Sequence, residues 1–526
     1  MFETFLARFP KYTFDAYHWQ PAFLQKLDLT AWKKDIHLEK IEILYVYGLH
    51  GDVFDLFKHW LMQRPERRLI FLEENEQIIA AHFDHPMIEC TQVEIEWLRS
   101  IPSQIQEWVR KYWAAFIEVV ALPNYSQDRF QSIRLEILRK NTLYFSYFYD
   151  RLHSHKIFKN FIQNVSLFDR SFNVHSLKNK FENIPAIICG AGPSLQEDIP
   201  ILKNLTDRAL ILAGGSALPI LKFFGMEPHL GVAIDPNQGE LERFRDRNFH
   251  CPILYSLRVC SEIFPFCKGP LGYIRSEFGG QFEKWLDKKM HLIDPPLCLD
   301  HHEESMSVTT IILELAQFFG CDPIILTGVD LAYTNQKRYA PGIDMTEDLT
   351  QLTGDLRIEQ IGKDGNKIQT AVRWMMEKEG LSDFALRSKR KCMNATKNGL
   401  LIPHFEEKSL DQIQFSQIYN LDQMIQKSIK NSKQIYFHKN LLIDLEMSLD
   451  RVISFLELLC TPSETAKGEK MIAQIEIEDE IATQVLFTDL SHILEKIDVR
   501  FCTQEKWKGW LEIAYQYREI LLSLIE

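Results

Sequence analysis

Residues 187–195 read Ile187-Ile188-Cys189-Gly190-Ala191-Gly192-Pro193-Ser194-Leu195. The stretch begins as a short apolar strand, turns through Gly-Ala-Gly and opens a helix at Pro-Ser-Leu. Glycine lets the backbone approach another group closely, and proline suits the first turn of a helix. Because the first N–H groups of a helix are unpaired and its amino end is positive, such a junction favours phosphate. The stretch therefore predicts an α/β fold with a nucleotide at this turn.

Composition and charge narrow the class of protein. At 526 residues the chain is too long for one compact core, so we expect two or three domains. The formal net charge of −12 argues against nucleic-acid binding, which needs a basic face. The ten cysteines form no Cys-x-x-Cys pair, which predicts reduced thiols in a cytoplasmic protein. No apolar run has the length of a signal peptide or a membrane span, so we expect neither.

Three regions are predicted along the chain: a small N-terminal Rossmann-like α/β domain over residues 1–165, a central domain over 166–404 and a helical domain over 405–526. The helical prediction rests on apolar residues that recur at three- and four-residue steps. They are Leu442, Leu445, Leu449, Val452, Leu456 and Leu459.

The N-terminal region contains part of a dinucleotide-binding pattern. A strand-like run at 41–47 is followed by Gly48 and Gly51, and Glu73 ends the next run. Two glycines are only a fragment of the full fingerprint. A structural turn is therefore the preferred interpretation, and cofactor binding is the alternative.

The central region has the strongest strand pattern. Its short apolar runs lead into Gly, Asp or Ser and are separated by helical stretches. They are Ala186–Cys189, Ala209–Ala213, Gly231–Ile234, Pro252–Leu257 and Ile324–Leu326. Such runs predict a mainly parallel, Rossmann-like sheet that is covered on both faces. Ligands of these sheets bind beyond the carboxyl ends of the strands, so the residues after each run are candidate contacts.

Those candidates are glycines and small polar or acidic residues. They are Gly190, Gly192, Pro193, Ser194, Gly215, Ser216, Asp235, Gly328 and Asp330. A carboxylate at Asp235 suits the hydroxyls of a ribose or the edge of a base, and the alternative is an aspartate that caps a turn.

Two phenols follow the last of these strands. Tyr333 and Tyr339 lie six residues apart on a segment bounded by glycine and proline. Phenolic hydroxyls there can donate hydrogen bonds to a departing phosphate without a metal. Packing of aromatic rings within a loop is the alternative.

Serine and histidine residues complete the candidates. Ser305 and Ser307 precede a predicted helix, where they either cap it or bind phosphate. His404 has the side chain of a general base, with a packed or surface histidine as the alternative. The run His301-His302-Glu303-Glu304 matches no metal-site spacing, so we predict no metal. The chain has no Walker-type phosphate loop. It also has no Asp-x-Asp at a strand end, the metal-holding pair of metal-dependent sugar-nucleotide transferases, and this absence favours metal-free nucleotide chemistry.

The order of these motifs resembles the motility-associated factor (Maf) family of bacterial flagellin glycosyltransferases, whose central domain is of the MptE-like (DUF115) type. The residues that carry the resemblance are Gly190–Leu195, Leu230–Pro236, Ser307–Thr310, Ile324–Ala332 and Tyr339–Gly342. The same motifs are similar to those of bacterial sialyltransferases that use a CMP-activated sugar. Asp235 stands where those enzymes have asparagine, and Gly214-Gly215-Ser216 replaces a second asparagine.

The resemblance implies a sialyltransferase-like fold and a metal-independent glycosyltransferase with no bound cofactor. Such an enzyme transfers a nonulosonic, sialic-acid-like sugar from a CMP donor to Ser or Thr hydroxyls of a protein acceptor such as flagellin. The resemblance also implies that Tyr333 and Tyr339 assist departure of the phosphate and that His404 is the base. It places the nucleotide over Gly190–Ser194, Asp235 and Ser305–Ser307.

Two alternatives stay open. The central motifs also resemble archaeal 6-hydroxymethylpterin diphosphokinases, which use ATP and Mg²⁺; Asp235 and Asp330 would then hold the magnesium. The departures from the sialyltransferase pattern are also compatible with a degenerate homologue that serves as a scaffold.

Overall fold

The computed structural model describes residues 2–30, 32–36, 38–99, 101–112, 115–276, 279–292, 294–297, 307–343, 357–432, 435–461, 472–473, 476–487 and 503–525. The chain divides into two compact units, Met1–Phe148 and Tyr149–Glu526.

The first unit is built on four parallel strands in the order β3-β2-β1-β4. The strands are β1 (Ile43–Tyr47), β2 (Arg68–Glu73), β3 (Val93–Trp97) and β4 (Ile117–Ala121). The helices that begin in this unit are α1 (Phe2–Arg8), α2 (Thr13–Ala16), α3 (Gly51–Met62), α4 (Glu76–Ala80), α5 (Ile101–Lys111) and α6 (Gln127–Leu152). The predicted N-terminal α/β fold is confirmed.

The second unit contains a sheet of nine described strands, in the order β15-β14-β11-β6-β7-β8-β9-β10-β5. These strands are β5 (Ser171–Asn173), β6 (Ala186–Cys189), β7 (Leu210–Gly214), β8 (Leu230–Ala233), β9 (Ile253–Tyr255), β10 (Leu271–Tyr273), β11 (Ile324–Thr327), β14 (Cys392–Asn394) and β15 (Glu406–Glu407). An antiparallel hairpin, β12 (Arg357–Ile361) and β13 (Lys367–Ala371), stands apart from it.

Helices connect the strands of the second unit and extend beyond them. They are α7 (Ser154–Val165), α8 (Leu195–Lys203), α9 (Ala217–Phe223), α10 (Gln238–Phe244), α11 (Gly280–Lys289), α12 (Val308–Phe318), α13 (Val372–Arg387), α14 (Leu421–Lys430), α15 (Ile443–Cys460) and α16 (Thr503–Ile525).

The large sheet is parallel and buried, as the apolar runs predict. Every described pairing within it is parallel. All residues of β6, β7 and β11 are buried. Strands that hide both faces need apolar side chains throughout, which explains their continuous rather than alternating pattern.

The order of the strands contains a reversal at its centre. From β6 the chain adds β7, β8, β9 and β10 on one side, and it then returns to add β11 and β14 on the other. In open parallel sheets, ligands bind in the crevice outside the carboxyl ends at such a switch point. The glycine turn after β6 and the segment after β11 meet at this point.

The C-terminal helices belong to the core of the second unit. The apolar stripe predicted from Leu442 to Leu459 is buried, and α15 packs on α16. The ring of Tyr517 on α16 lies 4.8 Å from that of Phe158 on α7, measured between centroids. The predicted helical region therefore folds onto the central sheet within one compact unit. No helix in the described part of the chain has the length and apolar character needed to cross a membrane.

Candidate functional site

The glycine turn after β6 is joined to the segment after β11 by the protein's own hydrogen bonds. The N–H of Gly190 donates to the carbonyl of Thr327 at 2.7 Å, and that of Gly192 to the carbonyl of Gly328 at 2.7 Å. A Cβ added at Gly192 would lie 2.1 Å from Oδ1 of Asp330. The glycines thus allow the close approach of another segment of this chain, rather than of a ligand.

Asp330 fills the position at the start of α8 where the sequence predicts a phosphate. Its carboxylate accepts hydrogen bonds from the N–H of Ser194 at 3.3 Å, from the Ser194 hydroxyl and from the Thr334 hydroxyl at 2.7 Å. The side chain is buried, and burial raises its pKa although these hydrogen bonds oppose the shift. The structure therefore brings Ser194, Gly192, Gly328 and Asp330 together, as an internal clamp beside Pro193.

The segment after β11 continues across the carboxyl ends of the neighbouring strands. The N–H of Ala340 donates to the carbonyl of Ala191, at 3.0 Å. Gly342 lies against Phe223 at the end of α9, since an added Cβ would be 2.7 Å from the Phe223 Cβ. Nη2 of Arg247 donates to the Gly342 carbonyl at 3.4 Å. These contacts hold Tyr339 above the turn that follows β6.

A second polar cluster lies after β7 and β8, and Arg243 of α10 is at its centre. Nη1 of Arg243 donates to Oδ2 of Asp235 at 2.7 Å and to Oε2 of Glu240 at 2.6 Å. The same nitrogen lies 4.0 Å from where a Cβ of Gly215 would stand. Burial by itself lowers the pKa of Arg243, but Glu240 and Asp235, with the Tyr339 phenol nearby, raise it overall. The predicted residues Gly215, Asp235 and Tyr339 are thus gathered around this arginine.

Sequence reasoning missed Glu240 and Arg243. Glu240 is 1% exposed, and burial raises its pKa to about 7 although Arg243 opposes the shift. The two residues are three positions apart on α10, so they share a helix face. A Glu-x-x-Arg pair directly after Asp235 was the available signal, because opposite charges at this spacing close to a strand end often form a buried pair.

The serines have different surroundings. Ser307 caps α12: its Oγ accepts the N–H of Thr310 at 3.2 Å and donates to Oε1 of Glu377 at 2.8 Å. The capping alternative therefore describes Ser307 in this structure. Ser216 is buried just before α9 and makes no side-chain cap. Ser305 lies outside the described residues.

The two tyrosines are connected through Arg338 and Trp374. Thr334 pairs with Lys337 across a tight turn, which places Tyr333 opposite Arg338. The Tyr333 ring centroid lies 4.9 Å from that of Trp374, and the Arg338 guanidinium lies 6.0 Å from the same ring. The same guanidinium lies closer still to the Tyr339 ring, 4.8 Å from its centroid, so Arg338 joins Tyr339 to the Tyr333–Trp374 pair. Tyr339 is also near enough to Arg243 to contribute to its raised pKa.

His404 is not brought to the other predicted residues. It lies in the turn before β15, with a φ of 66° and an exposed side chain. Glu406, two residues later, pairs with Met393 in the parallel strand β14. His404 is therefore level with the start of β14, whereas the glycine turn follows the carboxyl end of β6.

The glycine turn of the first unit is filled by side chains of that unit. The N–H of Gly51, at the start of α3, donates to Nε2 of His82 at 3.0 Å. Glu73 accepts the N–H of Leu49 at 3.0 Å and the hydroxyl of Tyr125. Neither the helix start nor the carboxylate is open to a dinucleotide, so the geometry fits the structural-turn interpretation.

No group of three or more His, Cys, Asp or Glu side chains among the described residues is arranged to hold a metal ion. The run His301–Glu304 lies outside those residues. Asp235 and Asp330, the carboxylates considered for magnesium, belong to two separate clusters: one is paired with Arg243 and the other is buried against Ser194.

Comparison with known proteins adds a partial match. A family model described as 6-hydroxymethylpterin diphosphokinase MptE-like matches residues 159–336, from α7 into the segment after β11. No curated protein matches the chain. A Maf glycosyltransferase from Magnetospirillum magneticum AMB-1 is similar in structure, with a TM-score of 0.48 and 14% sequence identity over 99% of this chain and 87% of that chain. The family match includes Asp235 and Arg243 and ends before Tyr339.

Proposed function

We propose that this protein is a glycosyltransferase that takes a nonulosonic, sialic-acid-like sugar from a CMP-activated donor. The acceptor is a Ser or Thr hydroxyl of a protein such as flagellin. The proposal rests on the order of the sequence motifs and on the site that the sheet assembles. The second unit, Tyr149–Glu526, carries that site.

One observation carries the proposal: Asp235 pairs with Arg243 at the carboxyl ends of the strands, beside the switch point between β6 and β11, and the segment that bears Tyr339 is held at the turn after β6 through Ala340. A phenol, a half-exposed carboxylate and a guanidinium can recognise a phosphate, a ribose and a base edge. Asp235 is 40% exposed, so one of its oxygens is available to a hydroxyl of the nucleoside. Ser194 and Asp330 then support the site from below, without contacting the donor.

The chemistry follows from this placement. The bond between the anomeric carbon and the phosphate oxygen breaks with oxocarbenium character, and CMP leaves with the electron pair. The Tyr339 hydroxyl donates a hydrogen bond to the departing phosphate, where negative charge develops. The acceptor oxygen attacks the anomeric carbon and loses its proton to a base. The resemblance implies His404 as that base, and His404 lies in the turn before β15, at the other end of the sheet's strands.

The geometry also separates this proposal from the diphosphokinase alternative. A kinase needs carboxylate oxygens that are free to bind Mg²⁺ together. Here the two carboxylates lie in separate clusters: Asp235 is beside Arg243, and Asp330 is buried with both oxygens accepting hydrogen bonds from Ser194 or Thr334. The donor set at the strand ends therefore suits a sugar nucleotide better than a metal–ATP complex.

The test uses the full chain, a CMP-activated nonulosonic acid and unmodified flagellin. Release of CMP and the intact mass of the acceptor are measured with and without EDTA. We expect the acceptor to gain one sugar residue, at a rate that EDTA leaves unchanged. Formation of AMP from ATP, Mg²⁺ and 6-hydroxymethylpterin, without release of CMP from the sugar donor, would overturn the proposal in favour of the diphosphokinase.

A further inference from the structure

Within the described residues, one edge of the Arg243 guanidinium, of the kind that commonly binds anions, makes no hydrogen bond. Its two described hydrogen bonds, to Asp235 and Glu240, both start from Nη1. A guanidinium has five N–H donors, and the edge formed by Nε and one terminal nitrogen matches two oxygens of a phosphate or carboxylate. Within the described residues, that edge has no partner.

Without a ligand, a guanidinium edge that has no hydrogen-bond partner destabilises the folded state. Nε of Arg243 is buried without a hydrogen-bond partner, and so is Oε1 of Glu240. A buried donor without a partner destabilises the folded state, so such groups usually face a bound water, ion or ligand. The arginine side chain as a whole is 14% exposed, so a small part of it is open to solvent.

The surroundings indicate which ligand group fits. Gly215 has no side chain to fill the space beside the guanidinium, and Tyr339 is near enough to affect the pKa of Arg243. Asp235 is the more exposed of the two carboxylates, with 40% of its side chain accessible, against 1% for Glu240. An incoming anion therefore competes with Asp235, while Glu240 stays in place beneath the arginine.

We propose that Arg243 binds the phosphate of the donor nucleotide through its Nε–Nη2 edge, and that Asp235 holds the arginine in place until the donor arrives. This inference rests on the proposed function, since it assigns a contact within that site. When the donor binds, the Asp235 carboxylate leaves Arg243 and contacts the nucleoside. The internal ion pair is thereby replaced by two contacts with the donor, one from Arg243 and one from Asp235.

The test compares CMP with cytidine, which lacks the phosphate, by calorimetric titration of the full chain. The quantity of interest is the ratio of the two dissociation constants. Charged hydrogen bonds change affinity by about 10- to 100-fold, so Arg243→Gln should reduce the preference for CMP by about tenfold or more. Asp235→Asn should increase that preference, because it removes the competing negative charge.

Arg275 provides a matched control in the same unit. It is 13% exposed and pairs with one carboxylate, Nε to Oδ2 of Asp287 at 2.6 Å, after strand β10. Arg275→Gln removes a buried cation of the same kind, and we expect no change in the CMP-to-cytidine ratio. Should Arg243→Gln fail to fold, the double variant Arg243→Gln/Glu240→Gln keeps the local charge balance and serves for the same titration.

The outcomes separate the inference from the proposed function. If the unaltered chain prefers CMP and Arg243→Gln, or the double variant, keeps the full preference, the role of Arg243 is wrong and the proposed function stands. An equal loss of preference in Arg275→Gln would also overturn the inference, since the effect would then be structural. If the unaltered chain binds neither CMP nor cytidine, the proposed function itself fails.

Discussion

The two units contain the same local design, a parallel strand that ends in a glycine turn and opens a helix, yet they use it differently. In the first unit the start of α3 is filled by His82, and Glu73 holds the turn together. In the second unit the start of α8 is filled by Asp330, which arrives from β11 across the switch point. Both turns are thus filled by side chains of the protein itself. In this protein, a glycine after a strand therefore indicates close packing rather than contact with a ligand.

What distinguishes the second unit is the strand pair next to its glycine turn. The ends of β7 and β8 carry Gly215 and Asp235, α10 adds Arg243, and the segment after β11 adds Tyr339. The hydrogen bonds between the glycine turn and the segment after β11 hold that segment in place. The polar side chains that can contact a ligand lie one to two strands away, after β7 and β8. The comparison thus separates a structural glycine site from the ligand site that it supports.

The largest effect is expected from adding a methyl group to each glycine turn. In Gly192→Ala the new Cβ would meet Oδ1 of Asp330 at 2.1 Å and the backbone oxygen of Gly328 at 2.8 Å. In Gly51→Ala it would meet the imidazole of His85 at 2.4 Å, and a side chain can move. We expect a loss of about 3 kcal/mol in the unfolding free energy of the second unit for Gly192→Ala, and about 1 kcal/mol in the first unit for Gly51→Ala.

Urea unfolding followed by hydrogen exchange measures the unfolding free energy of each unit separately and so checks this difference. A larger loss for Gly51→Ala than for Gly192→Ala would contradict the tighter clamp assigned to the second unit.

The next largest effect compares the two tyrosines. Tyr339→Phe removes a donor from the departing phosphate and should lower kcat about 100-fold. Tyr333→Phe keeps its ring against Trp374 and should change kcat by about twofold or less, because that packing does not depend on the hydroxyl. CMP release in steady state measures both, and thermal unfolding confirms that both variants fold. Equal losses would show that the two phenols act together after all.

A smaller effect concerns the buried carboxylates that close the two turns. Burial raises the pKa of Asp330 from its usual 3.8 and that of Glu73 from 4.5. A raised pKa means that the folded state holds the proton more tightly, so its stabilising contribution is present at low pH and is lost as pH rises through the raised value. Asp330→Asn and Glu73→Gln cannot titrate. Each should lose less stability than the parent chain as the pH rises above about 4.

Thermal unfolding at a series of pH values gives this comparison for each unit. A variant whose stability falls with pH as steeply as that of the parent would show that its carboxylate does not titrate in this range.

The smallest effect is expected at His404. Its φ of 66° is tolerated by asparagine, so His404→Asn preserves the turn. Because the histidine is exposed and level with the start of β14, kcat should stay within about twofold of the parent value. A loss of about 100-fold would restore His404 as the base and require the turn before β15 to move toward the strand ends.

Much of the fold was predictable because the central strands are apolar throughout. The predicted run Ala186–Cys189 is strand β6, and Ile324–Leu326 is nearly all of β11. Strand β3 was missed because Val93 and Ile95 alternate with Glu94 and Glu96. Strands β5, β10 and β14 have three residues each, too few for a periodic signal.

The site was less predictable, since its geometry depends on which segments meet. The sequence identified Asp235 and Tyr339 as candidates, and only the fold shows that Arg243 joins them. It placed a phosphate at Ser194, where long-range packing instead supplies the Asp330 side chain. A contact between residues 136 positions apart leaves no local pattern to read.

The central claim is that the nucleotide binds beside Arg243 in the second unit and not at either glycine turn. Hydrogen-exchange mass spectrometry of the full chain, with and without CMP, tests it most directly. We predict that CMP slows exchange at 214–217, 235–243 and 339–342, and leaves both glycine turns, 48–52 and 190–195, unchanged. Protection confined to 48–52, or none at 235–243 while CMP is bound, would contradict the account.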